Sequence, residues 1–123
     1  MTRLWYGVDV GELCDTHLLG EHSEMHQEVG TWKRHPHGRA VVRGHVERLQ
    51  VLPELVRGRH DELAGEMARR GMNHESPLED FDTIEWPTVG HHDESELARE
   101  NRERLAGRCQ DCADRMEEAL AGR

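Results

Sequence analysis

The sequence lacks the features of exported or membrane-spanning proteins. Its 123 residues include three cysteines, one phenylalanine and one tyrosine, and no apolar run approaches the ~20 residues that cross a bilayer. A small, odd number of cysteines argues against a disulfide framework and fits a reducing compartment. The N-terminus MTRLWYGVDV also lacks the basic-then-apolar pattern of a signal peptide. We therefore expect a single domain over residues 1–123, no membrane segment and a cytoplasmic location.

Lysine is nearly absent, whereas acidic residues are abundant. Lys33 is the only lysine among 16 basic residues, against 25 acidic ones, which gives a formal net charge of −9. This composition suggests a halophile or a virus that infects one, because high salt screens an acidic surface. The negative charge lowers the expectation of phosphate binding. However, residues 31–60 hold seven basic groups against two acidic ones, so a basic patch remains in the first half.

Apolar spacing predicts an all-α fold, a single compact domain of three to four helices with a short N-terminal arm. The first nine residues form the arm. A first helix is expected from Gly11 to Val29, with Gly30 ending it. Residues 31–39 are predicted to form a loop because they include Pro36 and Gly38.

A second helical region is expected from about Ala40 to Arg70. Pro53 should kink or divide it, because proline removes a backbone donor and clashes with the preceding turn. Gly71 is a natural C-terminal stop, and residues 72–92 are expected to be irregular, with their aromatic residues packed against the body.

The last helix is expected from about Ser95 to Ala121, with Asp93 as its N-cap. With this cap it forms an acidic C-terminal helix over residues 93–121. Its charge motivates the hypothesis that it binds a protein partner or competes with DNA. Cys109 and Cys112 recur at helical spacing and are interpreted as small core residues. The alternative is half of a zinc site with His91 or His92 as a distant partner.

On the first helix, His17, Glu21 and Glu24 lie at spacings of four and three and form one ridge. Glu21 falls within the apolar arc, so it should pair with an arginine or histidine of the second helical region. Glu24 lies nearer the solvent side and is the better candidate for chemistry. His22 and His26 lie one turn apart without an obvious acidic or cysteine partner, so the metal signal is weak and no metal ligand is assigned.

Several segments together resemble the pyrimidine-dimer DNA glycosylase family of T-even phages and its prokaryotic relatives. They are the opening Met-Thr-Arg, ELCDTHLLGEHSEMHQEVG, KRH, GHV and ELAGEMARRGMNHESPL. The resemblance covers about residues 2–78, a glycosylase-like core, and rests on the order and approximate spacing of these parts. It implies a compact helical enzyme that cuts double-stranded DNA at ultraviolet photoproducts without a cofactor.

The resemblance also implies roles for individual residues. The α-amino group of Thr2, exposed when Met1 is removed, is the expected nucleophile, and Glu24 is the expected catalytic carboxylate. Such an amine has a pKa of about 7.7–8.0, so an appreciable neutral fraction is available to attack C1′ and form an imine. DNA contacts are expected from the family positions and the basic segment: Arg3, His17, Lys33, Arg34, His35, Arg39, Arg43 and His45.

The sequence departs from the phage pattern around the expected catalytic glutamate. Ser23 and Gln27 stand where the phage enzyme has arginines, and the spacing from Thr2 to Glu24 is one residue longer. The connection between the KRH and GHV segments is much shorter, and an acidic helix replaces the aromatic and basic C-terminal tail. These differences leave two alternatives open, a non-catalytic DNA-binding or virion-associated relative and a metal-dependent hydrolase that uses the clustered histidines. Oligomeric state and lesion specificity stay undetermined.

Overall fold

A computed structural model describes residues 3–34, 36–72, 81–87 and 92–122. The described chain is all helical, which confirms the predicted fold class. Its five α-helices are α1 (Asp15–Lys33), α2 (His37–Glu47), α3 (Pro53–Arg69), α4 (Glu94–Arg108) and α5 (Gln110–Ala121), with short 3-10 turns at Val10–Glu12 and Phe81–Thr83. α1 packs against α2 and α3, and α4 packs against α5. No helix in this part of the chain has the length and apolar character needed to cross a membrane.

The first helix begins later and ends later than its spacing predicted. A 3-10 turn precedes it, and α1 starts only at Asp15. The expected helix from Gly11 to Val29, ended by Gly30, is therefore wrong at both ends. Glycine costs about 1 kcal/mol inside a helix, and the burial of Trp32 beyond it offsets that cost.

The predicted loop over residues 31–39 is also mostly helical. α1 continues to Lys33 and α2 begins at His37, so only a short connection contains Pro36. The connection is tight because Gly38 packs directly against the carbonyl of Thr31, where any side chain would collide with the backbone. This close approach brings the end of α1 against the start of α2.

Pro53 divides the second helical region, as predicted. It occupies the first turn of α3, where its missing N–H removes no helical hydrogen bond. Between α2 and α3 the chain reverses through Leu49, which has a left-handed backbone with φ of 58°. Gly71, with φ of 79°, follows the end of α3 and confirms the predicted stop.

The expected single C-terminal helix is instead two helices. α4 ends at Arg108, and α5 begins at Gln110 after one extended residue, Cys109. Asp93 caps α4 as predicted, since its side chain accepts from the Glu96 N–H at 3.1 Å. Helical spacing on both sides of Cys109 is nearly continuous, so the pattern alone did not reveal the break.

A buried ion pair joins the helices on which the fold is built. Arg59 of α3 donates to both carboxylate oxygens of Glu21 on α1, at 2.6 and 3.0 Å, which confirms the predicted pairing. Its remaining terminal nitrogen donates to the carbonyl of Val8 at 2.7 Å. Burial acts to lower the pKa of Arg59, but the hydrogen bonds and charge of Glu21 raise it overall. The pair therefore connects α1, α3 and the arm.

The arm is held along its length by backbone and side-chain contacts. The Leu4 N–H donates to the carbonyl of Gln50 at 2.9 Å, and Tyr6 exchanges hydrogen bonds with Leu52 at 3.1 Å. On the other side, buried Asn101 of α4 donates to the Tyr6 carbonyl at 3.0 Å. The arm is thus fixed between the α2–α3 connection and the C-terminal helices.

We predict that Arg59→Ala destabilises the protein by about 3–5 kcal/mol, because it leaves the Glu21 carboxylate buried without a counter-charge. The free energy of unfolding is to be measured in denaturant. The matched control is Arg99→Ala, which removes an exposed ion pair with Glu103 and should cost about 0.5 kcal/mol or less. Equal losses in the two variants would contradict a structural role for the buried pair.

Candidate active site

A groove of about 750 Å³ lies between α1 and α2. α1 contributes Glu24 and Glu28, one turn apart, and α2 contributes His45 from its last turn. The full lining is Glu24, Gln27, Glu28, Thr31, Arg34, His37, Gly38, Val41 and His45. The groove therefore contains the expected catalytic carboxylate together with two of the expected DNA-binding residues, Arg34 and His45.

Glu28 and His45 form a close pair in this groove. Nδ1 of His45 lies 2.6 Å from Oε1 of Glu28, whose side chain is almost completely buried. Burial, with the charge of Glu24 as a second cause, raises the pKa of Glu28 to about 7. Burial and the charge of Arg48 lower the pKa of His45. Both directions disfavour the charged forms, so the two side chains interact less as an ion pair than an exposed Glu and His would.

Glu24 lies beside this pair and is only partly exposed. Its Oε2 is buried and has no hydrogen-bond partner among the residues that the structure describes. On its solvent side, Gln27 donates to the hydroxyl of Ser23 at 3.0 Å. The positions that carry arginines in the phage pattern therefore present a neutral surface next to Glu24.

The expected DNA-binding arginines of α2 lie away from the groove. Arg39 and Arg43 stack over the ring of Trp32, with guanidinium carbons 4.9 and 5.4 Å from the ring centre. Lys33 and Arg34 are exposed at the end of α1. Together these four residues place positive charge around the α1–α2 junction.

Two other expected site residues lie against the C-terminal helices. Arg3 donates to Asn101 at 3.3 Å, and burial, followed by the charges of Arg104 and Arg108, lowers its pKa. The ring of His17 lies 3.2 Å from the sulfur of Cys14. Their DNA contacts stay predictions. Thr2 and His35 lie outside the described residues.

The structure adds residues that the sequence patterns did not single out. Glu28 was not singled out because its raised pKa results mainly from burial and because its partner, His45, lies seventeen positions away. His60 of α3 joins His22 and His26, with ring centres 4.7 to 5.4 Å apart. Cys14 and His17, rather than His92, join the CxxC pair of the C-terminal helices, and His91 lies outside the described residues.

A larger cavity of about 920 Å³ lies between the arm, α3 and the C-terminal helices. Its lining includes the carboxylates of Asp9, Glu54 and Glu62 as well as two arginines already paired with Glu12 and Glu21. Excess negative charge disfavours DNA phosphates there. The smaller groove with Glu24 is therefore the better candidate for chemistry on DNA.

The described geometry is that of a small helical domain with a carboxylate-containing groove bordered by arginine. The family model described as pyrimidine dimer DNA glycosylase matches residues 3–80, more than half of the chain. The chain belongs to this pyrimidine dimer DNA glycosylase family, which assigns it to DNA repair and makes DNA its partner. Comparisons with curated proteins and with solved structures give no match.

We predict that one carboxyl group titrates with a midpoint near pH 7 in ¹³C NMR, against an ordinary value of 4.5, and that Glu28→Gln abolishes this titration. Because the pKa is raised, the protonated carboxyl dominates below pH 7 and the carboxylate above it. His45→Ala is the control, and the midpoint should stay raised in it because burial is the main cause. Titration of all glutamates near pH 4.5 would contradict the assignment.

Proposed function

We propose that this chain is a DNA glycosylase with AP-lyase activity on duplex DNA that contains pyrimidine dimers or abasic sites. The α-amino group of Thr2, after removal of Met1, acts as the nucleophile, and Glu24 is the catalytic carboxylate. The strongest support is the family match combined with the position of Glu24 in the groove. Oε2 of Glu24 is buried and has no hydrogen-bond partner among the described residues. A buried oxygen of this kind is available to a cationic intermediate.

Contacts of the arm support the approach of Thr2 to this groove. Leu4 pairs with Gln50, and Gln50 in turn donates to the carbonyl of His45 at 2.9 Å. His45 lines the groove and bonds to Glu28. Thr2 precedes Leu4 by two residues, a separation of at most about 7 Å along an extended chain. The arm is therefore anchored next to the end of the groove where His45 lies.

The proposed reaction needs an amine and a carboxylate. The neutral amine attacks C1′ of the damaged nucleotide, the bond from C1′ to the base breaks, and the base leaves with the bonding electron pair. Loss of a proton from nitrogen and opening of the sugar give a protonated imine. The carboxylate of Glu24 stabilises this cation and accepts the C2′ proton, after which the 3′ phosphate leaves by β-elimination.

Glu28 supports this division of roles. With a pKa of about 7 it is protonated mainly below neutral pH, and there it adds less negative charge beside Glu24 than an ordinary carboxylate would. A carboxyl group with a raised pKa beside a second carboxyl group is a common arrangement in acid–base sites. We propose that Glu28 and His45 position Glu24 and the sugar without touching the reacting atoms.

The basic residues around the α1–α2 junction are proposed to contact phosphates. Lys33, Arg34, Arg39 and Arg43 are grouped there, with His35 between them in sequence and Arg3 and His17 further away. Such contacts position the duplex and stabilise the kinking or base extrusion that access to C1′ requires. The neutral Ser23–Gln27 surface suggests fewer contacts at the lesion itself than in the phage enzyme.

We predict that the mature protein forms a covalent adduct with abasic duplex DNA in the presence of borohydride. Adding one residue before Thr2 should abolish the adduct, because the nitrogen then belongs to an amide. Intact mass of the protein establishes whether Met1 has been removed, and gel electrophoresis measures the adduct. DNA binding without an adduct in a Met1-free preparation would support the non-catalytic alternative. Loss of activity in chelator without an adduct would support a metal-dependent hydrolase.

We further predict that Glu24→Gln lowers the strand-cleavage rate by about 10²-fold or more while DNA affinity changes little. The adduct should still form, because imine formation depends on the amine. Glu47→Gln, an exposed acidic position at the end of α2, is the matched control and should cleave normally. Equal cleavage by Glu24→Gln and Glu47→Gln would remove Glu24 from the mechanism.

A further inference from the structure

All three cysteines of the chain converge at one place, together with one histidine. Cys14 caps α1 and His17 lies in its first turn, while Cys109 caps α5 and Cys112 lies in its first turn. One potential ligand atom from each of the four side chains lies within 4.8 Å of the others. The two pairs are 92 or more positions apart in sequence, so only the tertiary fold brings them together.

Three of the six separations lie within about 0.4 Å of the edges of a tetrahedron around zinc, and the other three are no more than 4.8 Å. The sulfurs of Cys14 and Cys109 are 3.8 Å apart, and Nδ1 of His17 lies 3.2 and 3.6 Å from the sulfurs of Cys14 and Cys112. Zinc–sulfur bonds of ~2.3 Å and zinc–nitrogen bonds of ~2.0–2.1 Å give ligand edges of ~3.8 and ~3.6 Å in a tetrahedron. Three thiols and an imidazole are also the ligand set that zinc prefers.

Backbone groups support charged sulfurs at this place. The Cys14 N–H donates to the sulfur of Cys112 at 3.3 Å, and the Cys112 N–H donates to that of Cys109 at 3.4 Å. Such N–H donors stabilise metal-bound thiolates and fix their orientation. The amino ends of α1 and α5 both meet here, and their dipoles favour negative charge.

The shape of the C-terminal region fits a metal ligand at Cys109. This residue has φ of −139° and ψ of 111°, an extended conformation between two helices. The break turns the sulfur of Cys109 toward Cys14, where a continuous helix would not hold it. The packing of this region is sparse, since the buried side chains of α4 and α5 are only Leu97, Asn101, Leu105, Cys112 and Met116.

We propose that Cys14, His17, Cys109 and Cys112 bind one Zn²⁺ and that this ion fastens α4 and α5 to the start of α1. Four protein ligands close the coordination sphere, which makes the site structural. Metal binding would supply folding energy that the small apolar contact does not. The site shares His17 with the proposed DNA contacts but no residue with the proposed reaction at Thr2 and Glu24.

The test uses the full chain without an affinity tag that binds metal. Native mass spectrometry and elemental analysis should find one zinc per chain. Replacement by cobalt should give sulfur-to-metal charge-transfer absorption and the intense visible bands of a tetrahedral site. A strong chelator should lower the melting temperature, and added zinc should restore it. These measurements on the unaltered protein do not depend on whether a variant folds.

Variants then locate the ion. Cys109→Ser alters a ligand itself. Zinc affinity should therefore fall by more than the roughly 10–100-fold that is lost when only a residue hydrogen-bonded to a ligand is removed. His26→Gln, in the separate group with His22 and His60, is the matched control and should leave stoichiometry and the cobalt spectrum unchanged.

Three outcomes would overturn the proposal. The first is a metal-free protein whose mass is lower by two hydrogens, which indicates a disulfide. The second is a metal-free protein with three reactive thiols and no effect of zinc on stability. The third is that cobalt binds without charge-transfer bands and that His26→Gln no longer binds it, because the ion would then lie at the histidine group.

Discussion

The buried ion pair between Arg59 and Glu21 is the constraint on which the other contacts depend. Removing both charges from water costs several kcal/mol, and the cost is offset only if every hydrogen-bonding group finds a partner. Both oxygens of Glu21 and the Val8 carbonyl meet that requirement. The pair also fixes the rotation of α1, because turning Glu21 toward α3 directs Glu24, three positions on, toward the groove beside α2.

The charge distribution reconciles an acidic protein with a family that acts on DNA. The excess acid lies outside residues 31–60, above all in residues 61–92, which hold eight acidic groups against two basic ones, whereas the α1–α2 junction keeps its arginines. Arg39 and Arg43 rest on Trp32, which holds their charges near one surface with little freedom. Stacked guanidinium groups lose less entropy when they bind phosphate than freely moving ones. The fixed position of these two arginines can thus compensate in part for the small number of basic groups in the chain.

The sequence predicted features governed by local chemistry better than those governed by distant contacts. Helical spacing identified the all-α class, and Pro53 marked the division of α2 from α3. The position of Glu21 within the apolar arc predicted that it pairs with an arginine or histidine of the second helical region. Gly30 was misread as a stop because the burial of Trp32 outweighs its local propensity. The break at Cys109 and its approach to Cys14 depend on tertiary packing across most of the chain, which no local pattern encodes.

The same distinction between local patterns and distant contacts applies to the candidate site. Glu24 was found from the resemblance and its place on the helix ridge, whereas the raised pKa of Glu28 results from burial and therefore requires coordinates. His45 was expected to meet DNA, yet its nearest partner is Glu28. The resemblance indicated which residues to examine, and the packing of α1 on α2 determined what surrounds them.

Gly7 makes the N-terminal arm depend on the C-terminal helices. Its φ of 88° and its direct contact with Ala98 let the backbone of the arm lie flat against α4. The family match ends at residue 80, so this supporting surface lies wholly outside it. A fragment that ends at residue 80 would keep Thr2 and Glu24 and lose the surface against which its N-terminal arm rests.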